Sequence, residues 1–258
     1  MEWYLILAVI AAGIICGFIN TIAGSGSLIS LPLLMSLGLP ANVANGTNRI
    51  AILLQSAVGI VSFHKKKQLD LKKGLGLSIS AVVGSVAGAF IAAEINEDLM
   101  EKAVGIVLLF MLVMIIVKPD KWTRQSVGFP EGKISVLQIV IFFLIGVYGG
   151  FIQAGVGVFL LTALVLGVGY DLVKANAIKL LITFLFTPFA LGIFIWYGQV
   201  NWAWGLILAV GNMTGAYLAT KFAVSWGPKY IRWVLIFVII AASTKLLGLW
   251  DVIYDIFT

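Results

Sequence analysis

One stretch of glycine and small polar residues is written twice in a chain otherwise dominated by apolar runs, and it fixes where helices must stop. Ala23-Gly24-Ser25-Gly26 is answered by Ala154-Gly155-Val156-Gly157, Gly38 by Gly169, and Ala44-Asn45 by Ala175-Asn176. Each pair is separated by 131 positions (23 to 154, 38 to 169, 45 to 176). Upstream, Gly17-Phe18-Ile19-Asn20 is echoed with two residues of slip by Gly150-Phe151-Ile152-Gln153. Paired glycine interruptions in two halves of an apolar chain are the pattern expected where helices break around a binding site near the bilayer midplane.

Composition sets the solvent. With 61% apolar residues and a mean hydropathy of +1.09, 258 residues leave too few polar side chains to coat a soluble globule. The expectation is an all-α polytopic membrane protein, a single integral membrane domain made of two internal repeats, 1–125 and 126–258. The first apolar run has no basic segment before it and no small-residue cleavage site after it, and reads as a retained helix. The lone Cys16 forms no internal disulfide or dithiol relay and reads as a small apolar residue.

A bilayer crossing takes about 20 apolar residues. Long segments of that kind fall near 4–23, 41–63, 74–94, 99–117, 134–153, 172–197, 202–222 and 230–249, eight in all. Two shorter pieces, Leu28 to Leu37 and Val158 to Leu166, sit between glycines and reach about half the hydrocarbon thickness, as half-helices do. Basic residues arbitrate the topology. If both short pieces turn back, Lys221, Lys229 and Arg232 lie opposite the basic loops of Lys65 to Lys73 and Lys118 to Lys133. If each completes a crossing, the halves have opposite orientation and those residues join Lys174 on the basic, cytoplasmic side. The acidic loop Glu94, Glu97, Asp98 and Glu101 and the tail Asp251 and Asp255 then face outward. The inverted arrangement places the charges better.

Gly84-Ser85-Val86-Ala87-Gly88-Ala89 also matches Gly211-Asn212-Met213-Thr214-Gly215-Ala216, a spacing that lets helix backbones approach closely. The offset is here 127, so the first half carries four extra residues, expected in the His64–Lys67 stretch. Trp196, Trp202, Trp204, Trp226, Trp233 and Trp250 fall mostly at span ends, as interfacial anchors do. His64 reads as interfacial, and the lysines from Lys65 to Lys73 as a topology signal in contact with lipid headgroups and not with nucleic acid.

Polar groups at membrane depth are costly unless paired or useful. Here they cluster at the breaks: Asn20, Thr21, Ser25 and Ser27 at the first, Gln153 at the second, then Asn45, Thr47, Asn48 and Arg49 in one half and Asn176, Lys179 and Thr183 in the other. The candidate substrate site takes Asn20, Gly24, Ser25, Gly26, Ser27, Asn45, Thr47, Asn48, Arg49, Gln153, Gly155, Gly157, Asn176 and Lys179. Its chemistry favours an anion. Helix N-termini offer unpaired N–H groups and a partial positive charge, Arg49 offers a two-pronged fork, Lys179 a mobile point charge, and no Asp or Glu lies mid-span to neutralise them. Snorkelling of either cation to an interface is the bland alternative. No metal, cofactor or catalytic constellation is expected: there is no His-Glu-x-x-His, no buried carboxylate pair, and Gly24-Ser25-Gly26 lacks the third glycine and the βαβ setting of a dinucleotide site. The small-residue motifs serve packing within a chain or between chains equally.

The run Gly17 to Ser27, with Ala44-Asn45-Gly46-Thr47-Asn48-Arg49 and its degenerate echo from Gly149 through Lys179, resembles the TauE/SafE sulfite exporter family, also called the toluene-sulfonate uptake permease family. The resemblance covers essentially the whole chain. It implies an inner-membrane permease for small sulfur-containing oxyanions or organosulfonates. The Thr47-Asn48-Arg49 version resembles the branch of the family whose substrates are unassigned. Export by alternating access is the expectation; an anion channel and a non-transport intramembrane partner in sulfur metabolism are the alternatives.

Overall fold

The computed structural model of the chain describes residues 2–117 and 134–222, and all regular structure among them is helical. The long helices are α1 (Trp3–Ala23), α3 (Ala41–Lys65), α4 (Leu71–Glu94), α5 (Glu97–Val117), α8 (Leu172–Trp196) and α9 (Trp202–Phe222), with the 16-residue α6 (Val136–Phe151). Between them lie two short pieces: α2 (Ser27–Ser36), and α7 (Val156–Thr162), which widens into π turns over Ala163–Val168. Among the described residues three helices, α1, α4 and α8, are long and apolar enough to cross a membrane. The segment expected at 230–249, Trp226, Trp233, Trp250 and the charges at 118–133 and beyond 222 lie outside the described residues.

Local chemistry sets the boundaries. Gly24 ends α1 in the left-handed region (φ 76°), its N–H returning to the Asn20 carbonyl, and Gly155 opens α7 at φ 73°. Gly38 and Gly169 close the two short pieces at φ 86° and 92°, so the left-handed glycines recur at the 131-residue spacing. L-residues with a Cβ pay about 1–2 kcal/mol in that region, and glycine does not. Asp70 and Asp171 accept backbone N–H groups at the starts of α4 and α8, and Ser135 with Gln138 forms a reciprocal capping box on α6.

Contacts between helices fix their directions. Gly84 and Gly88 of α4 meet Phe143, Val147 and Phe151 of α6 in ascending order, so α4 and α6 run parallel; Gly13, Gly211 and Gly215 do the same for α1 and α9. Thr47, Gln55 and Lys66 of α3 bond Asn201, Asn212 and Thr220 in sequence, making α3 parallel to α9. Gly46 beside Phe194 and Gly59 beside Leu180 make α3 antiparallel to α8. Gly74 near Ile178 and Ser85 bonded to the Phe186 carbonyl make α4 parallel to α8. Thus α1, α3 and α9 point one way, and α4, α6 and α8 the other.

The repeated glycines are where backbones touch: a Cβ at Gly17, Gly84, Gly88, Gly150 or Gly215 would overlap main-chain atoms of the neighbouring helix. The four extra residues of the first half are not in the His64–Lys67 stretch. The α3–α4 and α8–α9 connections are both five residues long (66–70 and 197–201), and α3 and α8 both have 25 residues. The surplus lies inside α4, which runs 13 residues from its start to Gly84 where α9 runs nine to Gly211. Four residues make about one helical turn, so the glycine face keeps its aim.

Candidate functional site

The two breaks meet. Gly24 and Gly157 are in backbone contact, and a Cβ on either would collide with main-chain atoms of the other. Two helix ends and two helix starts therefore converge on one buried point: the C-termini of α1 and α6, and the N-termini of α2 and α7.

Each break leaves carbonyls that the helix no longer satisfies, and each is answered by a cation from the other part of the chain. Lys179, two turns into α8, donates to the carbonyls of Asn20 and Thr21 at the end of α1 and to Asn176 Oδ1, all at 2.8 Å. Arg49, two turns into α3, donates through Nη1 to Gly149 O (3.1 Å) and Gln153 Oε1 (2.9 Å), and through Nη2 to Gly150 O (2.6 Å) and, at 3.5 Å, Asn45 Oδ1. The guanidinium also lies 4.6 Å from the Phe194 ring centroid. Both side chains are buried, and neither makes an ion pair among the described residues. Helix C-termini carry partial negative charge, so a cation there is favourable without a carboxylate. Neither cation snorkels: the fork of Arg49 closes on two carbonyls, and the Lys179 ammonium is fixed rather than mobile.

The other sequence candidates divide by task. Asn48 ties α2 to α3, accepting from Ser30 (2.6 Å) and donating to Ser27 (3.2 Å). Asn45 donates to the Phe151 carbonyl at 2.7 Å, and Thr47 Oγ receives the Asn201 N–H at 2.8 Å. These hold the breaks in place. At the head of α2 the first helical bonds run from Leu28, Ile29 and Ser30 back to Ser25 and Gly26, so the N–H groups of Ser25, Gly26 and Ser27 precede them. Ser25 Oγ and Gln153 Nε2 are buried without partners.

Beside the Gly24–Gly157 contact lies a cavity of about 10 Å³, room for about one water, lined by Asn20, Gln153, Val156, Gly157, Lys179, Leu180 and Thr183. Four of the sequence candidates, Asn20, Gln153, Gly157 and Lys179, share this space; Gly24 touches it through Gly157. Arg49, Asn45, Thr47, Asn48, Gly26 and Ser27 do not line it. The lining residues carry amide, hydroxyl and ammonium groups and no carboxylate. Thr183 lines the cavity although the sequence reading kept it outside the candidate site. Two further polar residues, Gln55 and Asn212, were not singled out: Asn212 donates to Gln55 (3.0 Å), which reaches toward Thr21 Oγ (3.4 Å). Asn212 sits within a small-residue packing motif, which masks it as a helix-contact position.

Comparison with known proteins follows the same outline. The family model for sulfite exporter TauE/SafE matches residues 9–246. A probable membrane transporter protein, ORF9, of a Sinorhizobium species is 28% identical over 96% of this chain and 94% of its own length. The probable membrane transporter YfcA of Escherichia coli K12 is 30% identical over 90% of this chain and 86% of its own length. YdhB of Bacillus subtilis, also a probable membrane transporter, is 28% identical over 94% of this chain. No solved structure matches the chain significantly.

Proposed function

The chain is an integral membrane transporter of the sulfite exporter TauE/SafE family, and we propose that it is a multi-pass inner-membrane permease that moves a small sulfur-containing oxyanion or organosulfonate outward. The observation that carries this reading is the cavity at the crossed breaks, whose polar lining consists of Asn20, Gln153, Thr183 and Lys179 with no carboxylate. Neutral donors and an ammonium with no carboxylate partner suit an anion and repel a cation. The unpaired Gln153 Nε2 and Ser25 Oγ add donors at the same junction.

A cavity of about 10 Å³ does not hold a sulfonate, so the substrate enters only when the helices around it part. This favours alternating access over a continuous anion pore. In this reading residues 1–125 and 126–258 are inverted repeats contributing eight long crossings and two half-helices, and they rock about the Gly24–Gly157 contact. The opposed directions of the counterpart helices, α1 against α6, α3 against α8 and α4 against α9, support it.

Direction follows from charge. With the cytoplasm negative, each unit of negative charge moving out gains about 2.3 kcal/mol per 100 mV. Export therefore runs on the membrane potential alone. The test is efflux from proteoliposomes loaded in turn with sulfite, sulfate, thiosulfate or sulfoacetate, with an inside-negative potassium diffusion potential imposed. At least one sulfur anion should leave faster with the potential than without it, and Gln153→Leu and Thr183→Val should each slow it several-fold. Flux of none of these anions, or flux indifferent to both substitutions, rejects the reading.

A further inference from the structure

The three oxygens around Lys179 form an enclosure independent of what fills the neighbouring cavity. Asn20 O and Thr21 O come from the last turn of α1, and Asn176 Oδ1 from the turn of α8 below Lys179 itself; each lies 2.8 Å from Nζ. Thr21 O is freed because the chain turns at Gly24, while Asn20 O keeps its bond to the Gly24 N–H and accepts the ammonium as well. All three are neutral oxygens, and Lys179 is 2% exposed. Unwound carbonyls at the C-terminal ends of broken helices are the groups with which transporters of this general build hold a diffusible monovalent cation. Neutral oxygen cages hold such ions through dipoles alone, whereas divalent ions call for carboxylates. The three N–H directions of an ammonium match three acceptors, so the enclosure is complete as it stands.

We propose that the Asn20 and Thr21 carbonyls with Asn176 Oδ1 constitute a monovalent-cation site whose resident ion is the chain's own Lys179 ammonium. The tethered cation does in every state what a bound coupling ion does only when loaded: it neutralises the negative end of α1 and holds α8 against the break. It also leaves a net positive charge beside the cavity. Transport then needs no sodium or potassium at this position, and the charge moved per cycle is that of the substrate. This inference rests on the chain being a transporter and not on the sulfur-anion reading.

The test reads stability, so it does not depend on the substrate. Purified wild type, Lys179→Ala and Lys179→Met are melted in detergent at constant ionic strength with N-methyl-D-glucamine, sodium, potassium, ammonium or methylammonium as the cation. Wild type should melt at the same temperature in all five. Lys179→Ala should melt several degrees lower in N-methyl-D-glucamine and recover, saturably, with ammonium or methylammonium, which restore three donors to the emptied enclosure. Lys179→Met, which fills the space with an apolar chain, should not recover. A folded Lys179→Ala that does not distinguish these cations overturns the proposal. So does a saturable shift of the wild type by sodium or potassium, a measurement that stands even if the alanine variant does not fold.

Discussion

At the scale of single residues, the chemistry of this site is decided by where two cations spend their hydrogen bonds. Arg49 places one guanidinium nitrogen on Gly149 O and Gln153 and the other on Gly150 O, inside a region with no ion pair to share the burden. Removing it strands at least two buried carbonyls and the Gln153 oxygen, and each unsatisfied group costs about 1–3 kcal/mol. Arg49→Ala should therefore lower the melting temperature in detergent by more than any single exposed substitution. Arg49→Lys, which keeps the charge but cannot fork, should fall between it and wild type. Equal melting of Arg49→Ala and wild type would show that α6 is capped by other means. Thr183 differs in kind, since it lines the cavity and Thr183→Val keeps the shape while removing only the hydroxyl. Its effect should appear in anion affinity and not in the melt.

At the scale of elements, a glycine can be required by its dihedral angle or by its neighbour, and Gly24, Gly38 and Gly157 separate the two. Gly24 has both demands, φ 76° and the Gly157 backbone against it; Gly157 has the contact alone; Gly38 has φ 86° and open space around it. Gly38→Ala should cost about 1–2 kcal/mol, the left-handed strain alone. Gly24→Ala and Gly157→Ala should push the two breaks apart, and thermal melts ordered Gly38→Ala, Gly157→Ala, Gly24→Ala from mildest to most severe would confirm it. The positions of these breaks were legible in the sequence because glycine flanked by apolar runs has few other uses in lipid. So were the cations, as isolated charges at depth. Their partners were not: Arg49 reaches residues a hundred positions away and Lys179 nearly 160, and no local periodicity encodes such a reach. The extra turn in α4 was misplaced for a related reason, since a four-residue insertion inside a helix leaves the hydrophobic face almost unchanged and sequence spacing alone favours a loop.

At the scale of the whole molecule, hydrogen bonds tie the helices together at both of their ends. At the end bearing the lysines, the Lys66 ammonium bonds the Thr220 carbonyl and Tyr170 donates to Asp70 at 2.8 Å. At the opposite end, Gln199 donates to the Ala93 carbonyl (2.9 Å), Tyr197 to Glu94 (3.1 Å) and Asn42 to the Ile95 carbonyl (2.9 Å). Apart from Asn42–Ile95, each tie joins a residue of 1–125 to a residue of 126–258, so a relative rotation of the two halves about the Gly24–Gly157 contact would strain one set while relaxing the other. The small cavity between them is what a conformation closed at both ends should enclose. If rocking carries substrate, one end must be released for each half of the cycle, and fixing either end must stop net flux. Cysteines at Lys66 and Thr220, or separately at Gln199 and Ala93, in a Cys16→Ala background and bridged by a short cleavable bifunctional thiol reagent, should each abolish anion flux in proteoliposomes. Reductive cleavage of the bridge should restore it. Full flux through a population cross-linked completely at either end would mean that the pathway does not run between these ties, and that the molecule opens elsewhere or not by rocking at all.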